Sequence, residues 1–219
     1  TTWFAAIYHV TQGKSGLSSL ELARRLGVSH YTAWKIQHKL MQVMLERDQD
    51  KPLTGERIEV DDAYIGGERS GGKRGSAGKT PFVAAVETTA EGKPVRVKFS
   101  RVANFRRVSI KGWAVRHLRP AGPVYSDGLK AFRGIADAGC CHQPIVTGSG
   151  RKAVRTPAFK WANTLLGNLK TSLAGTFHAI RDKHVPRYLA QFQYRFNRRY
   201  DLAAMIPRLG WAAVRTPPM

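Results

Sequence analysis

The sequence predicts an α/β chain, a mixed sheet flanked by helices, preceded by a small all-α domain. Three observations predict it. Up to residue 45, apolar residues recur at helical spacing, with capping residues and glycine at the breaks. From residue 57, strand-like alternation and short apolar runs interleave with helical stretches. Between them lies a polar stretch, 46–56, broken by Pro52 and Gly55. The expected division is therefore 1–45, all-α; 46–56, linker; and 57–219, α/β.

The first helix places Trp3, Ile7 and Val10 on one face. Ser18 with Glu21 three residues later is a capping box, Leu22, Ala23 and Leu26 face a core, and Gly27 ends the helix at a left-handed position. Ser29 caps a second helix from His30 to about Leu40, with Ala33, Ile36 and Leu40 inward. A short helix, a glycine turn and a second helix form a helix-turn-helix pattern. Its outward positions, His30, Tyr31, Thr32, Lys35, Gln37, His38 and Lys39, suit phosphate and base-edge contacts.

Arg57-Ile58-Glu59-Val60 alternates as a strand and delivers Asp61 and Asp62 to its end. Neighbouring strand side chains point to opposite faces, so only one of the pair is expected in a given site. A glycine-rich basic loop follows, with Lys73, Arg74 and Lys79. Gly78-Lys79-Thr80 invites comparison with a phosphate-binding loop. That pattern needs Gly at position 73, which is Lys, and a helix where a strand follows here. A cationic hairpin touching DNA backbone is the better reading.

Strands are expected at 82–87 and 94–99, a helix at 108–118, and a short buried strand ending in Tyr125-Ser126-Asp127-Gly128, with a helix directly after. A further strand is expected at 143–146, then a basic loop carrying Arg151 and Lys152. Leu165, Leu166, Leu169 and Leu173 stripe a helix over 163–173, started by Asn163 and stopped by Gly175. A last helix, Val185 to about Asp201, buries Tyr188, Leu189, Phe192 and Phe196 and leaves Arg195, Arg198 and Arg199 for DNA.

Composition bounds the partner. The chain of 219 residues carries 36 Lys and Arg against 15 Asp and Glu, a formal charge of +21. Such an excess points to a polyanion. No run approaches the roughly 18 apolar residues of a spanning helix, and no secretory pattern opens the chain. Nucleic acid is the expected partner. The two cysteines, Cys140 and Cys141, are adjacent, give no disulfide framework and fit a reducing compartment. With His142 they make three consecutive residues, which chelate a tetrahedral ion poorly, so zinc is not expected. The chain opens at Thr1 in mid-helix without Met, as a piece of something longer would.

Three strands, a helix, a strand ending in an acid, a helix and further helices are the ribonuclease-H-like order. Such sites hold two magnesium or manganese ions roughly 4 Å apart on oxygen ligands. Asp61 and Asp127, at neighbouring strand ends, fit the first two ligand positions. Glu91 is the last glutamate, so a downstream Glu ligand does not exist. From 101 to 200 the only acids are Asp127, Asp137 and Asp182, against 19 Lys and Arg. Asp137 and Asp182 read as surface charges. Asn168, on the leucine-rich helix, is the better third donor through its amide oxygen, and Lys170 beside it is a further candidate DNA contact.

Val60-Asp61-Asp62-Ala63-Tyr64-Ile65-Gly66-Gly67, Tyr125-Ser126-Asp127-Gly128, Asn163-Thr164 with Asn168, Gly175-Thr176-Phe177-His178, and the run from Arg187 to Arg199 together resemble a bacterial insertion-sequence transposase. The group is the fifteen-ninety-five family, prokaryotic relatives of the Merlin elements, and the resemblance covers nearly the whole chain. It implies a DDE-type transposase in which Asp61 and Asp127 match the first two metal-binding acids and Asn168 stands at the third. Asp62 replaces the Glu that usually follows the first acid, and Gln191 replaces a Glu of the last helix. An N-terminal zinc ribbon, frequent in the family, has no counterpart here.

What the resemblance implies is metal-dependent hydrolysis at element ends, then transfer of the 3′-hydroxyl into target DNA. The helix-turn-helix would read terminal inverted repeats, in a DNA-bound dimer or higher oligomer, in the bacterial cytoplasm at the nucleoid. A repurposed transposase acting as a DNA-binding regulator, and a general nuclease, are the alternatives.

Overall fold

The computed structural model describes residues 2–66, 78–146, 159–177 and 180–217. In chain order the elements are α1 (Thr2–Gln12), α2 (Ser19–Leu26), α3 (His30–Gln49), β1 (Arg57–Ile65), β2 (Thr80–Thr88), β3 (Pro94–Arg101), α4 (Arg107–His117), β4 (Pro123–Ser126), α5 (Arg133–Ala136), β5 (Cys141–Pro144), α6 (Lys160–Thr176), α7 (Val185–Asn197) and α8 (Met205–Arg215). They form two compact units, Lys51–Lys170 and a second made of Thr1–Asp50 with Thr171–Met219.

The Lys51–Lys170 unit is built on a five-stranded sheet of order β3-β2-β1-β4-β5. β1 to β3 form an antiparallel meander, with Asp61 opposite Ala84 and Ala84 opposite Phe99. β4 joins the other side of β1 in parallel, with Val60 opposite Ser126, and β5 pairs parallel to β4. This mixed sheet flanked by helices is the expected ribonuclease-H-like arrangement. On one face, Ile58, Val60, Val83, Ala85 and Val124 pack with Ile110 and Trp113 of α4, with Leu118 just after it, and with Phe132 and Ile135. α4 and α5 touch backbone to backbone: a Cβ on Gly134 would lie 2.3 Å from the Arg107 carbonyl oxygen.

Several boundaries differ from expectation. Residues 46–56 are not a free linker. α3 continues to Gln49 because Met41, Val43 and Met44 prolong its buried stripe, with no proline before Pro52. Leu53 is buried, its N–H donating to His117 O (2.8 Å) and its carbonyl accepting from the Arg119 N–H (3.0 Å). After Asp127 the chain turns through Gly128 (φ 87°) and a 3-10 turn, Lys130–Phe132, before α5. β5 lies two residues earlier than expected, set by its register with β4. α6 begins three residues before Asn163 and runs through Gly175, so Asn163 is inside the helix rather than capping it.

The helical unit confirms the local signals of the first fifty residues. The Glu21 N–H donates to Ser18 Oγ (3.1 Å), Gly27 adopts φ 65°, and the Thr32 N–H donates to Ser29 Oγ (3.2 Å). Its composition corrects the expected division. Residues 171–219, placed by sequence with the α/β domain, cluster instead with the N-terminal helices. Ala190 and Tyr194 of α7 and Leu209 and Ala212 of α8 share one core with Ala6, Ile7, Val10, Leu22, Ile36, Leu40 and Met44. α8 has no counterpart in the sequence expectation, since Pro207 and Gly210 interrupt its pattern. Pro207 stands in the first turn, where its missing N–H has no helical partner to lose. No helix among the described residues is long and apolar enough to cross a membrane.

Candidate metal centre

The hydrophobic alternation of β1 puts Ile58 and Val60 into the α4 face and turns Arg57, Glu59 and Asp61 to the other. The β1–β4 ladder stops at Val60 and Ser126, so Asp61, Asp62 and Asp127 stand just beyond the last paired residues. Ser126 is fully buried, and its Oγ is hydrogen-bonded to His142 Nε2 (2.8 Å), tying the end of β4 to β5. Asp127 Oδ1 accepts the Leu129 N–H (3.1 Å), which fixes the turn and leaves Oδ2 free of that bond. Asp61 Oδ1 accepts the N–H of Asp62 (2.9 Å).

Carboxylate oxygens of Asp61, Asp62 and Asp127 lie within 4.8 Å of one another, all three side chains half-buried. This corrects the expectation that only one of the adjacent pair faces the site. Strand alternation separates two side chains when a site sits on one face of a sheet. Here Asp127 sits off the end of the ladder, where both sides of β1 reach it. The sequence placed both acids at a strand end; β1 instead runs on to Ile65, paired with β2, and it is β4 that ends beside them at Ser126.

Crowding raises the proton affinity of Asp61 and Asp62. Burial, then the charges of Asp127 and Asp62, pushes the Asp61 carboxyl up to about 7. Burial and then Asp127 push Asp62 upward as well. The Lys170 ammonium opposes both shifts. Like charges held this close call for a cation. An all-oxygen carboxylate set suits magnesium or manganese, and the cluster holds no thiolate or imidazole to favour a softer ion.

α6 carries the remaining expected donor. Asn168 is exposed on it, one half-turn before Lys170. The start of this helix is held by Glu59: its Oε2 accepts the N–H groups of Trp161 and Ala162 (3.0 Å each). Glu59 is buried, a role its place in an alternating strand did not disclose.

Residues 52–197 match the ISXO2-like transposase domain. The chain belongs to that transposase family. The motif resemblance of the sequence is thereby borne out, and the match starts within two residues of the α/β unit. No curated protein matches the chain. Among solved structures, the Mos1 strand transfer complex is similar at 12% identity and a TM-score of 0.31, covering 97% of this chain and 77% of that one. The Mos1 mariner paired end complex with Mn gives 12% identity and a TM-score of 0.31 over 91% and 74%. Superpositions this loose carry no information about function.

The candidate DNA contacts of this transposase-family chain divide sharply. His30, Tyr31, Thr32, Lys35 and Lys39 are exposed on α3, with Lys35 Nζ 4.3 Å from the centre of the Tyr31 ring. Gln37 and His38, read as outward, are buried: Gln37 Nε2 donates to Leu17 O (2.6 Å), and burial takes His38 down to about 4. Lys79 is half-buried and Lys170 is exposed near the acids. Arg195 is buried and lowered to about 10 by desolvation, so it is no surface contact. Arg198 is bound to Asp48, and Arg199 packs on Phe196 and Tyr200. Phe192 and Phe196 are half-buried, and α7 stops at Asn197, so the arginines past Phe196 are not on a continuing helical face. Lys73, Arg74, Arg151 and Lys152 lie outside the described residues.

Proposed function

We propose that the chain is a DNA transposase that hydrolyses the phosphodiester at the ends of its element and transfers the resulting 3′-hydroxyl into target DNA. The observation that carries this reading is the convergence of Asp61, Asp62 and Asp127 where β4 ends beside β1. Two magnesium or manganese ions bound there supply activation of the attacking oxygen and neutralise charge on the leaving oxygen.

The chain's own residues then have distinct tasks. Asp61 and Asp127 hold the ions, Asn168 adds a neutral oxygen, and Asp62 restores the third negative charge that Asn168 lacks. Lys170 offers a cation to the phosphate beside the acids. In the first step, oxygen from water bonds to phosphorus, the 3′ oxygen of the element leaves with a proton, and a 5′-phosphate remains on the flank. In the second, that 3′-hydroxyl gives up its proton as its oxygen bonds to a target phosphorus, and a target 3′ oxygen leaves and takes up a proton.

Before that chemistry, α2 and α3 would read terminal inverted repeats through His30, Tyr31, Thr32, Lys35 and Lys39. Pairing two ends requires two such centres, hence a DNA-bound dimer or higher oligomer, acting at the bacterial nucleoid. Asn168 in place of an acid favours one other reading, a DNA-binding regulator without catalysis. The deciding experiment incubates the protein with DNA carrying the inverted repeats that bracket its reading frame. Cleavage at those ends that needs Mg2+ or Mn2+ and is absent in Asp61→Ala and Asp127→Ala supports the transposase. Salt-sensitive binding with no cleavage by the unaltered chain supports the regulator, and cleavage indifferent to the ends supports a general nuclease.

A further inference from the structure

Glu59 is the point where three elements of the α/β unit meet. It lies two residues before Asp61 on the same face of β1, and only 2% of its surface is exposed. Its Oε2 accepts both the Trp161 and Ala162 N–H groups at 3.0 Å. Its Oε1 lies 3.8 Å from Arg57 Nε, and the Arg57 guanidinium sits 4.0 Å from the centre of the Tyr125 ring. Tyr125 is in turn two residues before Asp127, and Arg57 ties it to the same carboxylate.

A helix start leaves N–H groups that a local Ser, Thr, Asp or Asn usually satisfies. Ala158 and Phe159, next to this one, carry no side-chain oxygen. The acceptor comes instead from a strand about a hundred residues away, and as a carboxylate it also meets the positive end of the helix dipole. Burial raises the proton affinity of Glu59, while the two backbone donors and Arg57 oppose that rise. The Trp161 indole N–H donates to Gly92 O, anchoring the same turn of α6 on the β2–β3 connection.

We propose that Glu59 is a positioning residue that fixes where α6 starts along β1, and so where Asn168 and Lys170 stand relative to Asp61 and Asp127. The proposal rests on the metal-centre reading above. Rise along α6 is fixed at about 1.5 Å per residue, so a slip at Trp161 is passed undiminished to Asn168, two turns on. Glu59 touches no reacting group itself.

The test is calorimetric titration of the full chain with Mn2+, run with hydrogen exchange at the Trp161 and Ala162 amides. Glu59→Ala is expected to bind Mn2+ roughly tenfold more weakly and to speed exchange at both amides. Glu59→Gln keeps one acceptor oxygen and should lose less. Leu118→Ala, in the core on the opposite face of the sheet, should lower the melting temperature and leave Mn2+ affinity unchanged. Unchanged Mn2+ affinity in Glu59→Ala, or an equal loss in Leu118→Ala, overturns the proposal. If Glu59→Ala does not fold, unchanged exchange and affinity in Glu59→Gln overturn it. Unchanged affinity in Asp61→Ala overturns the metal reading and this proposal together; loss there without loss in Glu59→Ala overturns only the proposal.

Discussion

Arg198 holds Asp48 in a two-point ion pair, Nη2 to Oδ1 at 2.8 Å and Nη1 to Oδ2 at 3.1 Å, with both side chains nearly out of solvent. The pair joins the last turn of α3 to the end of α7, and the same guanidinium lies 3.7 Å from the centre of the Tyr194 ring. An arginine so engaged is a structural clamp. Arg198→Ala strands a buried carboxylate and is expected to cost about 3 kcal/mol in urea unfolding. Affinity of the folded variant for DNA should hardly change, as fluorescence anisotropy would check.

The exposed cations of α3 should behave in the opposite way. Lys35→Ala and Lys39→Ala each remove a charge that faces solvent, so stability should shift by less than about 0.5 kcal/mol. If both lysines meet phosphate, each substitution lowers the slope of log K against log salt by roughly 1. A slope equal to that of the unaltered chain, measured over several salt concentrations, would remove α3 from the DNA interface.

The acid cluster predicts a pH dependence of definite sign. An Asp carboxyl titrates near 3.8 unfolded, and Asp61 is pushed up to about 7 in the fold. The folded state therefore binds this proton more tightly. The stability so gained is full below the unfolded value and is lost as pH rises through about 7. Desolvation takes His38 and His117 down to about 4, so both act in the opposite direction below about pH 6.5. The Asp61 contribution is therefore read against Asp61→Asn, which should raise the melting temperature of metal-free protein more at about pH 8 than at about pH 5. Mn2+, which competes with the proton, should raise the melting temperature more at the higher pH. Scanning calorimetry across that window with and without Mn2+ checks both.

Two glycines test the packing of the α/β unit. Gly134→Ala would place its methyl carbon 2.3 Å from the Arg107 carbonyl oxygen, where backbone must move. A loss of about 1–3 kcal/mol is expected. Gly112, in the middle of α4, has nothing within 4 Å of an added Cβ. Gly112→Ala should gain about 0.5–1 kcal/mol from helix propensity alone. Chemical denaturation of both variants gives opposite signs or the α4–α5 contact is misdescribed.

Local grammar was the legible part of this chain. Ser18, Gly27 and Ser29 act on neighbours within four residues, and their caps and turn stand where the sequence places them. The alternation around Ile58 and Val60 fixed β1. Asp61 meets Asp127 because β4 runs beside β1 and ends at Ser126, although Asp61 itself lies in mid-strand rather than at the expected strand end. What escaped depends on partners far away in the chain. Glu59 caps a helix that starts at Lys160, so the start of α6 had no nearby signal. Asp62 joins the cluster only because β4 stops at Ser126. Gln37, His38, Arg195 and Arg198 are polar residues covered by other helices, and a polarity pattern reads such positions as surface. Residues 171–219 follow the α/β elements in sequence yet belong to the other core, an allegiance set by which apolar faces meet.

That last arrangement has a consequence for synthesis. The helical unit is split, its first fifty residues and its last forty-nine flanking the α/β unit. Ala6, Ile7, Val10 and Leu22 wait for Ala190, Tyr194, Leu209 and Ala212 to leave the ribosome before their shared core closes. A product cut short near Lys170 would keep the acid cluster while its α1–α3 stayed half-covered. The helical core therefore closes only once residues 171–219 have been made.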